Sequence, residues 1–269
     1  MNLTFPNQLE KIKDKIIQQE PLLTEVAGLY AEAIANGGLV HVYANGHSRV
    51  TVEELCIRMG ALTGFRAVLT TGLTTFTDVV GSNGLRLNQF FEKIERSGAA
   101  LLDEIDFGPH DVFLVVTATG TTAAAVDIAL EFNKRYPSRP LVAISCAEQS
   151  KNAPSKHSSG LNLWHVVERA QKGYFIDNAM PVGDLSIDIE SPAVQYKICP
   201  LSSIGALTVV QSLNELTLQA LIEKGVAHFV LQNMHLKDTE DNYESWLRDQ
   251  RKRYARATYN EAALIPEQE

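Results

Sequence analysis

Residues 112–135, VFLVVTATGTTAAAVDIALEFNKR, decide the fold of this chain. The apolar run at 112–116 predicts a buried strand, and Gly108-Pro109 marks its N-terminal boundary. The polar segment TATGTT (117–122) then leads directly into a helical pattern over 123–135. A strand that passes through a short polar turn into a helix is the repeating unit of a parallel sheet.

The same unit recurs along the chain. LVHVY (39–43) predicts a strand, ANGHS (44–48) a turn and 49–62 a helix. The other predicted elements, in chain order, are two helices within 8–36, a strand at 66–70, a long loop at 71–86, a helix over 87–104, a strand at 141–145, an irregular segment at 147–172, strands at 174–177, 185–189, 194–198 and 227–231, a helix over 203–224 and a helical tail from 240 anchored by Trp246 and Tyr254. This order predicts an α/β fold with helices on both faces of a parallel sheet.

The pattern divides the chain into three parts. Residues 1–36 are expected to form N-terminal helices, 37–232 a single α/β domain and 233–269 a helical tail. In open parallel sheets, ligands bind at the carboxyl ends of the strands. The turns at 44–48 and 117–122 both fall at those ends, which makes this edge of the sheet the expected binding site.

Composition limits the kind of partner and the cellular compartment. The 269 residues carry 24 Lys and Arg against 32 Asp and Glu, a formal net charge of −8 that disfavours nucleic-acid or anionic-membrane binding. The 3 cysteines form no CxxC pair, which disfavours a disulfide scaffold or a zinc site. No apolar run reaches the roughly 18 residues of a membrane span, and the N-terminal residues do not read as a signal peptide. We therefore expect a cytoplasmic protein.

Both turns offer hydroxyl groups at a helix N-terminus. Thr117, Thr119, Thr121 and Thr122 surround Gly120, and the amides at a helix start attract anions. Hydroxyls without lysine suit a sugar phosphate, and the absence of GxxxxGK[ST] and of GxGxxG disfavours nucleotides. Plain helix capping by threonine is an equal alternative.

The turn at 44–48 also places a hydroxyl group between a strand and the start of a helix. Ser48 could cap the following helix or hold a phosphate or hydroxyl, and His47 lies at the carboxyl end of its strand. A structural role is an alternative for His47. No histidine spacing predicts a metal, and no cofactor is expected.

Longer segments resemble a known family. ANGHSRVTVEELCIRMGAL (44–62) and VVTATG (115–120) resemble the sugar isomerase (SIS) domain family of phosphosugar-binding proteins. KHSSG (156–160), IDNAMPVGD (176–184) and LSSIGAL (201–207) are similar to the SIS-domain group known as UPF0309. The resemblance runs from about residue 8 to residue 255.

The resemblance implies a three-layer α/β/α sandwich with a five-stranded, flavodoxin-like parallel sheet. It also implies a homodimer or tetramer with the site near the subunit interface, and sugar-phosphate binding by Ser48, Thr117, Thr119 and Thr122. Thr121 is a neighbour, and Gly120 would let the backbone approach the ligand. This chain has Thr117-Ala-Thr-Gly120 where many members have Ser-x-Ser-Gly, so the hydroxyls are retained with an added methyl.

Catalysis is where the chain departs from the family pattern. Phosphoheptose isomerases and muramic acid phosphate etherases carry a glutamate ten residues past the loop serine, and Arg58 stands there. Glu54 lies one turn earlier on the same helix face, so it is the candidate base, with His157 or His47 as the candidate acid. Arg58 could pair with Glu54 or meet an acidic substrate. A surface ion pair is the structural alternative.

Three further polar residues lie in the downstream segments. Asp184 could orient His157, bind sugar hydroxyls or cap a turn. Ser202 and Ser203 open the helix at 203–224 and could bind an anion or cap that helix.

The leading expectation is a sugar-phosphate isomerase that interconverts aldose and ketose through an ene-diol. An amino-sugar-phosphate lyase or etherase is an alternative. A non-catalytic sugar-phosphate sensor that acts through a protein partner is another.

Overall fold

Five parallel strands form the central sheet of the computed structural model, which describes residues 2–74, 84–233, 235 and 242–258. The strands of the described residues are β1 Val40–Ala44, β2 Phe65–Val68, β3 Val112–Val116, β4 Leu141–Ser145, β5 Gly173–Asp177, β6 Leu185–Glu190 and β7 Gln195–Pro200. The sheet order β2-β1-β3-β4-β5 is that of a flavodoxin-like fold. The expected α/β fold with a five-stranded parallel sheet is confirmed.

Helices cover both faces of this sheet. They are α1 Pro6–Ile17, α2 Glu20–Ala35, α3 Arg49–Cys56, α4 Thr71–Thr74, α5 Leu85–Phe91, α6 Ser97–Asp103, α7 Ala123–Arg135, α8 Ala147–Asn152, α9 Leu163–Glu168, α10 Ser202–Glu223 and α11 Tyr243–Thr258. None of the helices in the described ranges is long and apolar enough to cross a bilayer.

The central strands divide their side chains between two apolar layers. Leu114 and Val116 of β3 pack in the layer that contains α2, α3 and α10, whereas Phe113 and Val115 pack in the layer that contains α6, α7 and α9. A strand buried on both faces is apolar at every position, since successive side chains alternate between the faces. This is why β3 and β4 were predicted with their observed bounds.

Several predicted elements differ from the structure. The helix over 49–62 ends at Cys56, and that over 87–104 is two helices because Arg96 has a left-handed φ of 70° between them. The segment 147–172 is not irregular, since it contains α8 and α9. The strand at 227–231 is reduced to one isolated bridge between Val230 and Leu62. Most of the expected loop at 71–86, residues 75–83, lies outside the described residues.

Strands β6 and β7 form a separate antiparallel hairpin, and β7 leads directly into α10. The predicted strands at 185–189 and 194–198 therefore exist but do not extend the main sheet. Within the expected helical tail, the structure describes α11. Its Trp246 Nε1 donates to Ala61 O at 3.2 Å, and its Tyr254 hydroxyl donates to Phe65 O at 2.6 Å.

The outer edge of the sheet at β5 is held by a side chain from the N-terminal helices. Gln19, between α1 and α2, donates from Nε2 to Asp177 O at 2.9 Å and accepts from Asp177 N at 2.8 Å. Its amide therefore pairs with Asp177 as a neighbouring strand would.

Candidate functional site

A cleft of about 410 Å³ opens at the carboxyl ends of β1 and β3, where the sequence places the binding edge. Its described lining residues are Asn45, Gly46, His47, Ser48, Leu85, Asn88, Gln89, Glu92, Thr117, Ala118, Thr119, Thr122, Lys156, Asp184, Pro200, Ser202 and Ser203. Of the predicted site residues, the structure brings His47, Ser48, Thr117, Thr119, Thr122, Asp184, Ser202 and Ser203 to this one cleft.

Two hydroxyls stand at the starts of helices without capping them. Ser48 precedes α3 and Thr122 precedes α7, and neither side chain makes a capping hydrogen bond. Both line the cleft. In this structure, therefore, both hydroxyls lie at the cleft without a capping hydrogen bond.

The turn between β3 and α7 places its threonines differently. Thr117 lines the cleft, and its hydroxyl has no partner among the described residues. The hydroxyl of Thr119 also reaches the cleft but lies 2.9 Å from the hydroxyl of Thr121. Thr121 itself is buried and does not line the cleft.

Gly120 makes the sharp turn between these threonines possible. Its φ is +69°, and a Cβ there would lie 2.2 Å from Ser150 Oγ. A side chain would therefore be both strained and in collision. Gly120 serves the turn itself rather than a contact in the cleft, since it is absent from the lining.

The start of α10 forms the opposite wall. Asp184 Oδ1 accepts from the amides of Leu201 at 2.8 Å and Ser202 at 2.6 Å, and Asp184 Oδ2 accepts from Ser202 Oγ at 2.8 Å. The carboxylate therefore occupies the position an anion would take at this helix start. Ser203 adds a hydroxyl with no partner among the described residues.

A second carboxylate, Glu92 at the end of α5, lines the same cleft. Burial raises its pKa, and the charge of Lys156 partly opposes that rise. No hydrogen-bond donor pairs with its carboxylate in the described ranges, and a Cβ at Gly46 would lie 3.0 Å from its Oε1. A carboxyl group with a raised pKa suits proton transfer near neutral pH.

Asn45 adds an unsatisfied donor. The residue is only 4% exposed, and its Nδ2 is buried without a hydrogen-bond partner in the described part of the chain. Asn45 directly follows β1 and lines the cleft. Among the unsatisfied buried side-chain atoms of the described residues, this donor is the one that belongs to a residue of the cleft lining.

Sequence reasoning missed Glu92, Lys156 and Asn45. Nothing in the pattern around Glu92 separates it from the other charged residues of its predicted helix. Lys156 was within reach, because it opens the KHSSG segment that carries the family resemblance. Asn45 was likewise part of the quoted ANGHS turn.

The structure does not bring Glu54 or Arg58 to the cleft. They form an ion pair with each other, and Gln211 of α10 donates to the second Glu54 oxygen at 3.2 Å. This matches the surface ion-pair alternative and leaves Glu54 with its hydrogen bonds directed away from the ligand site.

His157 is also outside the cleft lining. Its Nδ1 accepts from the Ser159 amide at 3.1 Å, so the proton lies on Nε2, which faces Asp127 Oδ1 at 3.5 Å and Glu95 Oε2 at 3.8 Å. Asp184 does not contact it. His47, in contrast, is exposed at the cleft. In the described residues, no group of three or more His, Cys, Asp or Glu side chains could hold a metal ion.

Residues 4–137 match the model of the SIS domain. A UPF0309 protein of Geobacillus kaustophilus is 24% identical over 253 residues, which cover 94% of this chain and 95% of the relative. A UPF0309 protein of Halalkalibacterium halodurans is 28% identical over 207 residues, 77% of this chain and 79% of the relative.

The chain is therefore an SIS-domain protein. Within that class it is similar to the UPF0309 proteins over most of its length, as the sequence motifs indicate.

Two solved structures are also similar. A phosphoheptose isomerase from Francisella tularensis has 17% identity and a TM-score of 0.46, covering 80% of this chain and 94% of its own. The sugar isomerase domain of an RpiR transcription factor from Sphaerobacter thermophilus has 14% identity and a TM-score of 0.41, covering 82% of this chain and 96% of its own.

Proposed function

We propose that this protein binds a sugar phosphate in the cleft and interconverts its aldose and ketose forms. The observation that carries the binding is the pair of hydroxyls at Ser48 and Thr122, which start helices without capping them. With Thr117 and the N-terminus of α7, they present donors on one side of the cleft, as a phosphoryl group requires. The SIS domain supports the same ligand class.

The acid–base group of the reaction is Glu92. Isomerisation through an ene-diol moves one proton between C1 and C2 of the open-chain sugar and a second proton between O1 and O2, with no net change of oxidation state. A carboxylate removes the proton from one carbon and returns it to the other. Glu92 lines the cleft with a pKa raised by burial, whereas Glu54 is held by Arg58 and Gln211.

His47 is the second proton-transfer group of this proposal. It lines the cleft on the turn that carries Ser48, so it is placed to protonate the ring oxygen when the sugar opens. On the other wall, Ser203 and Asp184 offer a donor and an acceptor to sugar hydroxyls.

Thermal unfolding with matched pairs of phosphorylated and free sugars, from pentoses to heptoses, tests the binding. A ligand at 100 times its Kd adds about 2.7 kcal/mol of stability. We expect stabilisation by phosphorylated sugars only, and a Kd roughly 10- to 100-fold higher in Thr122→Val, because a hydrogen bond to a charged group is lost. Thr208→Val on α10 is the matched control, since Thr208 lies outside the cleft lining.

Reaction in D₂O then separates an enzyme from a sensor. Proton return from Glu92 should place deuterium at C1 or C2 of the bound sugar, as followed by NMR. Binding without exchange or isomerisation would leave a sugar-phosphate sensor. No stabilisation by any phosphorylated sugar would overturn the proposal.

A further inference from the structure

We infer that Lys156 is the cation that pairs with the phosphoryl group of the ligand, and that a hydrogen-bonded clamp from Glu95 holds it at the cleft. The inference rests on the proposed function and adds the residue that forms an ion pair with the phosphoryl group. Lys156 comes from the segment between α8 and α9, far in sequence from the two hydroxyl-bearing turns.

Charge balance in the cleft is the first argument. A phosphoryl group carries about −1.5 to −2 charges at pH 7. Glu92 and Asp184 already place two carboxylates in the lining, and Lys156 is the only lysine or arginine among the described lining residues. Without Lys156, the described lining would offer the phosphoryl group hydroxyls, amides and the His47 imidazole beside those carboxylates, but no lysine or arginine.

Availability is the second argument. Other basic side chains of the described residues form salt bridges with carboxylates, as Arg135 Nε does with Glu131 Oε1 at 2.7 Å. Lys156 has no carboxylate within 4 Å among the described residues, although its charge acts on Glu92. Its ammonium is therefore near the cleft carboxylate but remains free to meet an anion.

The third argument is that the backbone on both sides of Lys156 is fixed. Ser155 Oγ donates to Leu161 O at 2.7 Å and accepts from the His157 amide at 3.1 Å. Ser158 donates from its amide to Glu95 Oε1 at 2.7 Å and from its hydroxyl to Glu95 Oε2.

His157 completes this clamp. Its ring accepts from the Ser159 amide and faces Asp127 and Glu95 with the opposite nitrogen. His157, which the sequence suggested as an acid, thus uses both ring nitrogens in contacts that hold the loop. It and Glu95 are positioning residues that act through Lys156, which is the group that touches the ligand.

Calorimetric titration of Lys156→Met tests the pairing. The probes are inorganic phosphate and the sugar phosphate that stabilises the wild type most in the panel above. We expect the Kd for both to rise about 10- to 100-fold, because a charge-assisted hydrogen bond is removed. The dependence of Kd on salt should weaken, and Lys156→Arg should restore most of the affinity.

Lys151→Met is the matched control. Lys151 is exposed on α8, with its ammonium 5.3 Å from the centre of the Trp164 ring, and does not line the cleft. Its variant should bind both probes as the wild type does. The unfolding midpoint without ligand should be unchanged in both methionine variants.

Glu95→Ala tests the clamp through coupling. If Glu95 acts through Lys156, its variant should raise the Kd in the wild-type background but add nothing in the Lys156→Met background. Additive losses would show a merely structural role and overturn the clamp.

The outcomes separate the two proposals. If a sugar phosphate binds the wild type and Lys156→Met keeps its Kd, the pairing is wrong while the proposed function stands. If no phosphorylated sugar binds the wild type, the proposed function fails and this inference fails with it.

Discussion

Two glutamates in this chain illustrate how much a single side chain's surroundings decide its chemistry. Glu54 is paired with Arg58 and accepts from Gln211, so both of its carboxylate oxygens already have partners. Glu92 has no hydrogen-bond donor in the described residues and a pKa raised by burial. The second setting suits a base, because burial raises the proton affinity of Glu92 and its lone pairs meet no donor among the described residues.

Substitution of these two residues gives opposite expectations. Glu92→Gln should lower the isomerisation rate by about 10²- to 10⁴-fold, the usual contribution of a general base, with little change in sugar-phosphate Kd. Glu54→Gln is the matched control and should keep both values. Steady-state kinetics together with calorimetry would measure them. Wild-type turnover in Glu92→Gln would contradict the assignment.

At this scale the sequence identified residues that follow strands but missed residues brought in by packing. Ser48 and Thr122 could be predicted because each stands a few residues after an apolar strand and directly before a helix. Glu92 could not, since α5 reaches the cleft only through tertiary contacts. Lys156 lies in a segment that carries the family resemblance, but its place in the cleft is evident only from the fold.

Among the elements, α10 depends on a side chain from outside its own sequence. Asp184 accepts from the first amides of the helix although its own φ of 72° is left-handed, a conformation that Asp tolerates better than most residues. The approach of α10 to the sheet is equally close, because a Cβ at Gly205 would lie 1.8 Å from Asn178 O. The wall of the cleft is thus fixed where α10 begins.

Loss of this cap should be measurable as stability. We expect Asp184→Ala to lower the free energy of unfolding by about 1–2 kcal/mol, because the Ser202 amide and hydroxyl lose their acceptor and the Leu201 amide keeps only the Asp184 carbonyl. Asp184→Asn should lose less, since its side-chain oxygen can still accept. Urea unfolding would measure both variants, and equal losses would argue against the hydrogen bonds as the cause.

Element length explains which helices the sequence predicted. α7 has 13 residues and shows its apolar stripe plainly, whereas α8 and α9 have 6 each, less than two turns. The break between α5 and α6 falls at Arg96, with no glycine or proline at that position to signal it. The helices α8 and α9 were not predicted because they are short, and the break was not predicted because no typical helix-breaking residue stands at Arg96.

For the whole molecule, a buried polar cluster ties the C-terminal helix to the amino edge of the sheet. His41 Nε2 lies 2.9 Å from Asp111 Oδ2, both side chains are fully buried, and Arg256 of α11 donates to both Asp111 oxygens. Arg66 lies beside the other imidazole nitrogen at 3.3 Å. The cluster sits at the opposite end of the strands from the cleft.

This cluster should make the protein sensitive to acid. Burial lowers the pKa of His41. Burial alone would raise the pKa of Asp111, but the hydrogen bonds from His41 and the amides of Gly108 and Leu39 lower it. Both pKa values are lower in the folded than in the unfolded chain, so the unfolded chain binds more protons in acid. The cluster therefore stabilises the folded chain fully at neutral pH. The free energy of unfolding decreases as the pH drops below about 6.5, the ordinary pKa of histidine, and decreases again below about pH 4.

Urea unfolding at pH 7, 6 and 5 would measure the first of these losses. In His41→Gln, which keeps a donor toward Asp111 but cannot take up a proton, the decline over this range should be smaller than in the wild type. An identical decline in both proteins would mean that His41 does not cause it.

The pairing of Gln19 with Asp177 has a consequence for how molecules of this protein meet. An edge strand with free amides and carbonyls can recruit a strand from another molecule and start aggregation. The Gln19 side chain already pairs with both the backbone amide and the backbone carbonyl of Asp177. An incoming strand therefore cannot form its hydrogen bonds with that residue at the carboxyl end of β5. The N-terminal helices thus do more than cover the core, since one amide between them keeps the sheet from growing from molecule to molecule.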